Sequence, residues 1–326
     1  MSKSLKIVLG LGVFYMSSVF ADAHLLTTPA AKAFIHEMVT KQHLPRTLVE
    51  TALADSQYRA DIIEKMDRPY ESKPWDVYAQ LFLTSSRIQA GADFWKKHQN
   101  TLHEAEVKYG VPAQMIVSIL GVETLYGQRQ GDFSVLDALS TLAFHYPKRA
   151  PYFQYELKEF LLMCHQYHIN PTMLKGSYAG AMGQGQFMPS SYRRWAVSYD
   201  GQHAPDIIHN TQDAIFSIAN YLHAHGWQKR QLVAEQAQTK GQYCQTITPN
   251  LKKATYQYRD LTRCGVTAMH SHWIHPKEVG LLELDISGGH EYWIGYPNFY
   301  VILTYNSSPL YGLAVYLLSE SIAKKV

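Results

Sequence analysis

The hydrophobic period of this chain changes near Lys240 and changes back after Thr304. Before residue 240, apolar residues recur every three to four positions, which places them on one face of a helix. Helices are expected over residues 29–41, 45–56, 85–109, 134–146 and 151–167. Gly110 supplies a stop for the long third helix, and Pro112 opens the next one at its first turn. Asn210 or Thr211 caps a helix with the stripe Ile215, Ile218, Ala219 and Leu222, which Gly226 ends. From 240 to 304, β-branched and aromatic residues alternate with polar ones. Residues 282–286 form a period-two strand, a turn follows over 287–290, and 291–294 return. A last helix opens at Pro309 with the stripe Tyr311, Ala314, Val315, Leu318 and Ile322. The expected fold is therefore mainly α, in the α+β class. Residues 24–239 and 305–326 form the helical body, and 240–304 form a small antiparallel β unit inserted before the last helix.

The chain has 326 residues, enough for one large or two modest domains. With 46% hydrophobic and 17% charged residues, general disorder is excluded. A formal net charge of +3 gives no argument for nucleic acid and is compatible with an acidic polymer. The 23 tyrosines suit sugar binding, through rings that stack and hydroxyls that reach polar groups, and equally suit an ordinary core. Residues 1–23 read as an export signal, with Lys3 and Lys6 before an uncharged apolar run over 7–20 and small residues after it. That run is short for a membrane span, and no Cys follows it for lipid attachment. A periplasmic location, with no stable membrane span once the signal is removed, is the expectation; an uncleaved membrane anchor is the other reading of the same run. Cys164 falls on the stripe of Phe153, Leu157, Phe160 and Leu161 and reads as a buried thiol. Cys244 and Cys264 flank a polar segment, and an oxidising compartment predicts a disulfide between them.

Two segments carry the chemistry. In the first, Ile116, Ile119, Leu120 and Glu123 share one helix face. A carboxyl on an apolar face has a raised pKa and is available as a general acid. A glutamate near a helix end can also turn to solvent or pair with Arg129, and the residues alone leave both readings standing. The second segment runs from Gly176 to Ser191, with glycines at 176, 180, 183 and 185 among small, polar and aromatic residues. It makes a poor helix and a poor strand. It suits the floor of a groove, where backbone approaches a ligand closely, or a tight buried connection between helices.

Gly121-Val122-Glu123-Thr124 with Tyr126-Gly127 resembles the catalytic helix end of the lytic murein transglycosylase B family. The block from Tyr178 to Ser191 resembles that family's glycine-rich signature. Ala219-Asn220-Tyr221-Leu222, Ala224-His225-Gly226-Trp227, Tyr292-Trp293, Pro297-Asn298-Phe299-Tyr300 and Tyr305-Asn306 continue the likeness over nearly all of the chain after residue 23. The resemblance implies a lysozyme-like helical core. It also implies cleavage of the β-1,4 bond between N-acetylmuramic acid and N-acetylglucosamine in peptidoglycan strands, with a 1,6-anhydro product. Glu123 would act as acid and then base. Ser177 and Gln186 would hydrogen-bond the saccharide and Phe187 would line the groove, while Tyr221 and Tyr305, with Asn306 beside them, would contact sugar or orient Glu123; Tyr221 also reads as a half-buried core aromatic. Tyr311 matches a further family tyrosine, and also fits as the first residue of its helix's apolar stripe. Asp132 and Asp137 are the nearest other carboxylates. They read as surface or helix-cap residues, although a hydrolase would need one of them.

One segment departs from the family's pattern. The best-known members carry an EF-hand-like calcium loop after the glycine-rich block, but here residues 198–206 hold only Asp200 and Asp206 as acids, with Pro205 between. The expectation is no tight calcium site and no cofactor. His270, His272 and His275 form a separate cluster that reads as solvated loop histidines rather than a metal site. Two other readings of the chain are a lysozyme-like hydrolase and a noncatalytic murein-binding scaffold.

Overall fold

The computed structural model describes residues 20–21, 24–67, 73–240, 244, 246–249, 252–269 and 278–326. The export-signal reading, apart from Phe20–Ala21, and the cluster of His270, His272 and His275 lie outside these residues.

Fourteen α-helices lie among the described residues: α1 (Pro29–Thr40), α2 (Arg46–Asp55), α3 (Ala60–Met66), α4 (Trp75–Ala79), α5 (Ser85–Lys97), α6 (Gln99–Tyr109), α7 (Ala113–Thr124), α8 (Val135–His145), α9 (Ala150–Gln166), α10 (Pro189–Trp195), α11 (Thr211–Ala224), α12 (Tyr258–Arg263), α13 (Pro297–Tyr305) and α14 (Pro309–Ala323). Short antiparallel pairs join β1 (Phe20–Ala21) to β2 (Gln57–Tyr58) and β3 (Phe133–Ser134) to β4 (Lys175–Gly176). Among the described residues, one larger sheet holds β5 (Ala234–Thr239), β6 (Val266–Ala268), β7 (Gly280–Ile286) and β8 (Gly289–Gly295), in the order β6-β5-β8-β7, all antiparallel. The fold is mainly helical with a small antiparallel sheet, as expected.

Several local expectations change. The helix expected over 85–109 breaks at His98, whose N–H bonds both Phe94 O and Trp95 O. No proline or glycine marks that break. It serves packing: α5 lies against α7 and α14, whereas α6 turns to meet α11. Pro112 sits one position before its helix, in an extended conformation. The β region is displaced from 240–304 at both edges. Its sheet begins at Ala234, and Pro297–Tyr305 is a buried helix with Pro297 at its start. The hairpin turn is tighter than expected. Ile286 pairs with Gly289 across a two-residue connection, and Gly288 supplies the positive φ (112°) this needs.

The sheet has two buried faces. Leu282, Leu284 and Trp293 point into the main helical core. Leu281, Ile294, Val279 and Leu261 form a second, smaller cluster on the other side. The Cys244–Cys264 disulfide ties the loops beside this smaller cluster. It closes a loop of 20 residues, for which chain entropy gives about 3 kcal/mol. Cys244→Ser should therefore lower the thermal midpoint under oxidising conditions by several degrees, and adding reductant should lower the wild-type midpoint equally while leaving the variant unchanged.

No single helix among the described residues is long and apolar enough to cross a membrane. α13 and α14 together are apolar enough, but they bend by 111° and are largely buried.

Candidate active site

α7 is the central helix. It packs against α5, α6, α11 and α14, and its residues from Met115 to Gly121 are all buried. The apolar face read from the sequence is in fact an apolar surface all round. Glu123 stands in its last turn and keeps part of its surface open. Burial is the main cause that raises its pKa, to about 7. The one opposing influence is Tyr311, whose hydroxyl donates to Glu123 Oε1 at 2.6 Å. Arg129 is exposed and makes no ion pair with Glu123 among the described residues. The pairing or solvent alternative for Glu123 is therefore replaced by a protonatable carboxyl held by a phenol.

Tyr311 is buried in the first turn of α14, whose N-cap Ser308 accepts from the Tyr311 N–H. Its phenol is pushed well above the ordinary range by burial first, and then by the Glu123 charge. It stays a hydrogen-bond donor at every working pH. Tyr78 on α4, also buried, adds to this shift. Tyr78 was missed at the level of sequence because five-residue α4 is too short to show a period.

The glycine-rich segment folds as a tight, largely buried connection, the second of its two sequence readings, and Gly185 meets Tyr305 near Glu123. Gly176 abuts Ala181 O so closely that a Cβ there would stand 2.1 Å away. The segment is pinned to α7 by Thr124, whose hydroxyl donates to Gln184 O at 2.8 Å. Ser177 Oγ accepts from the N–H groups of Ala179 (3.2 Å) and Ala181 (3.0 Å), which closes the 177–181 turn. Gln186 adopts φ 51°. Its amide nitrogen donates to Gly183 O at 2.9 Å and to Gln130 O at 3.0 Å, which fixes the side chain against the segment.

Phe187 and Tyr221 are buried, and they form an aromatic cluster with Tyr305. Ring centroids are 5.6 Å apart for Phe187–Tyr221, 5.9 Å for Phe187–Tyr305 and 4.8 Å for Tyr221–Tyr305. Tyr221 donates to Thr304 O at 2.6 Å, and Tyr305 donates to Gly185 O at 2.5 Å. Tyr305 is half-buried and close enough to Glu123 that the carboxylate charge helps to raise its pKa, after burial. Asn306 caps the turn into α14, accepting from Ser308 N at 3.0 Å. The structure thus brings Glu123, Tyr305 and Tyr311 together. Phe187 and Tyr221 form the shelf behind them.

Residues 27–320 match the family described as transglycosylase SLT domain. The chain belongs to this family. The membrane-bound lytic murein transglycosylase B of Escherichia coli (strain K12) is 40% identical over 323 residues, covering 95% of this chain and 86% of that relative. A structure of Escherichia coli Slt35 in complex with calcium is 39% identical, with a TM-score of 0.81, and covers 91% of this chain and 93% of that one. A structure of Pseudomonas aeruginosa SltB3 in complex with NAG-anhNAM-pentapeptide is 28% identical, with a TM-score of 0.76, and covers 90% of this chain and 78% of that one. As a family member this chain is a lytic transglycosylase with a lysozyme-like helical core.

The other carboxylates are placed differently from Glu123. Asp132 is exposed. Asp137 lies in the first turn of α8 and accepts from Gln57 N at 2.9 Å, so it anchors β2. In the segment over 198–206, Asp200 accepts from Ser198 Oγ (2.7 Å) and Gln202 N (2.9 Å). Asp206 accepts from Ile208 N (3.1 Å) and His209 N (2.9 Å). Buried Asp213 accepts from Tyr199 N at 2.9 Å and Asp206 N at 2.8 Å. These carboxylates are occupied in shaping their own loop. Among the described residues, no group of three His, Cys, Asp or Glu side chains is arranged to hold a metal ion.

Proposed function

We propose that this chain cleaves the β-1,4 bond between N-acetylmuramic acid and N-acetylglucosamine in peptidoglycan strands, leaving a 1,6-anhydro end. The observation that carries this reading is a lone carboxyl, Glu123, whose pKa of about 7 lets it hold a proton and give it up near neutrality. Protonated Glu123 donates to the glycosidic oxygen as the bond to the anomeric carbon breaks. The resulting carboxylate takes the proton of the muramyl 6-hydroxyl as that oxygen closes on the same carbon. The nucleophile belongs to the substrate, so no second carboxylate is needed, and its intramolecular position supplies a large proximity advantage. Asp132 and Asp137, exposed and engaged elsewhere respectively, favour this over hydrolysis, which uses a carboxylate pair.

Tyr311 orients the Glu123 carboxyl through its 2.6 Å bond. We assign the free hydroxyl hydrogen of Ser177, the carbonyl of Gln186 and the side chain of Asn306 to the saccharide around the cleaved bond. Tyr305 flanks the reacting carboxyl, and Phe187 and Tyr221 support it from behind. The substrate is naturally outside the cytoplasm, which agrees with the leader read over residues 1–23. We assign no calcium ion to residues 198–206, which hold only Asp200 and Asp206 as acids with Pro205 between them.

Digestion of purified murein sacculi, with mass spectrometry of the released fragments, tests the proposal. Fragments ending in anhydro-muramic acid are expected. Reducing-end muramic acid would select the hydrolase, and binding without release would select the scaffold.

A further inference from the structure

The chain immediately after Glu123 is strained. Leu125, Tyr126 and Gly127 take φ values of 50°, 60° and 85°, three successive left-handed residues of which two carry side chains. Each non-glycine residue in that region costs on the order of 1–2 kcal/mol. Such a conformation persists only where its surroundings over-determine it, and here they do.

The turn leaves Gly121 O without its usual helical partner, because Leu125 N bonds Leu120 O instead, as does Tyr126 N (2.9 Å). Arg87, on α5, fills that vacancy. Its Nη1 donates to Gly121 O at 2.6 Å. A guanidinium at a helix carboxyl end also meets the negative pole of the backbone dipoles. Arg87 is half-buried, and no carboxylate pairs with it among the described residues. The same residue's backbone carbonyl accepts from Tyr126 OH at 2.7 Å. The Tyr126 ring fills a slot between two glycines. A Cβ on Gly121 would lie 2.7 Å from the ring, and one on Gly91 would lie 2.6 Å from its hydroxyl. Arg87 and Tyr126 thus clamp both ends of the turn to α5, two residues before and three after Glu123. On the other side, Thr124 accepts from Gly127 N at 2.9 Å while donating to Gln184 O.

We propose that Arg87 and Tyr126 are positioning residues for Glu123: they hold the left-handed turn that aims its carboxyl at Tyr311 and the substrate. They act through the backbone. This inference rests on the role assigned to Glu123 above. Neither side chain contacts the carboxyl, whose neighbours are Tyr311 from α14 and Tyr305 from α13, with Tyr78 of α4 behind Tyr311.

The test compares Tyr126→Phe, which keeps the ring in its slot and removes one hydroxyl, with Arg87→Met, which keeps the stem and removes the donor. The carboxyl carbon of Glu123 is followed by NMR across pH, its resonance assigned by its loss in Glu123→Gln. In both variants the titration midpoint should fall by at least about half a unit as the carboxyl swings toward water. On soluble glycan strands, kcat should fall about ten- to a hundredfold, since a displacement near 1 Å costs that much. KM should stay within about twofold, since no substrate contact is removed. The double variant should lose less than the product of the two single losses. If the midpoint stays at its wild-type value in both variants, the proposal is overturned, even where the melting temperature drops. If wild-type protein releases no anhydro product, the reading of function fails, while the titration still decides this inference.

Discussion

Glu123→Gln should cut turnover by at least about a thousandfold and, above pH 7, make the protein more stable than wild type. The first effect follows from the role proposed for Glu123, which both gives and takes the proton. General acid–base catalysis contributes about 100- to 10,000-fold for each such role. Glutamine keeps the shape and can still accept from Tyr311, so binding to sacculi should persist while anhydro fragments vanish. Fragments released at an undiminished rate would end the proposal.

The stability effect follows from the raised pKa. The carboxyl titrates at about 7 in the folded chain and near 4.5 when unfolded. The folded state therefore binds the proton more tightly. The stability this contributes is fully present below pH 4.5 and is lost as pH rises through 7. Glutamine cannot ionise and never suffers that loss. Allowing for the part of Glu123 that remains open to water, the difference at pH 8 is on the order of 1–3 kcal/mol. Thermal melts at pH 4 and pH 8 check it. The two proteins should lie close together at pH 4, with the variant higher by several degrees at pH 8.

Tyr311→Phe should lower kcat about ten- to a hundredfold and move the alkaline fall of kcat upward in pH. The 2.6 Å bond from Tyr311 favours the ionised carboxylate and is the only influence opposing burial. Without it, the Glu123 pKa rises further. The acid form then survives to higher pH, so the alkaline limb shifts up. The same change makes the carboxylate harder to form, and the freed side chain loses its aim. Both should slow the reaction, because the second half of the proposed mechanism needs a correctly placed base. A pH–rate profile of the purified variant reads both parameters. A limb that stays in place or moves down would show that the phenol does not tune Glu123. Tyr311→Phe differs from the Arg87 and Tyr126 variants in sign, since theirs lower the titration midpoint.

The legible parts of this chain were those written in local pattern. The stripe Ile215, Ile218, Ala219 and Leu222 gave α11, and the alternation at 282–286 gave β7. Gly176 and Gly183 announced backbone packed too closely for a Cβ. The pairing of Cys244 with Cys264 followed from compartment and count. The break at His98 was not legible, because nothing in Lys97-His98-Gln99 disfavours helix and only the diverging partners of α5 and α6 require it. Tyr221 was legible as a half-buried core aromatic, whereas the burial of Phe187 was not, because no local period marks it.

Local periodicity and residue chemistry by themselves determined that a carboxyl would stand at the end of an apolar helix, and that a glycine-rich segment would bring backbone close to something. Tertiary structure alone decided what surrounds that carboxyl. It buries α7 on every side, which lifts the pKa. It carries Tyr311 across 188 positions of sequence to bond Glu123, and it bends Leu125 and Tyr126 into a conformation neither prefers in isolation. The physical reason is range. Helix and strand patterns arise from neighbours within a few residues, whereas desolvation and hydrogen-bond partners are set by whichever distant segments close over the site.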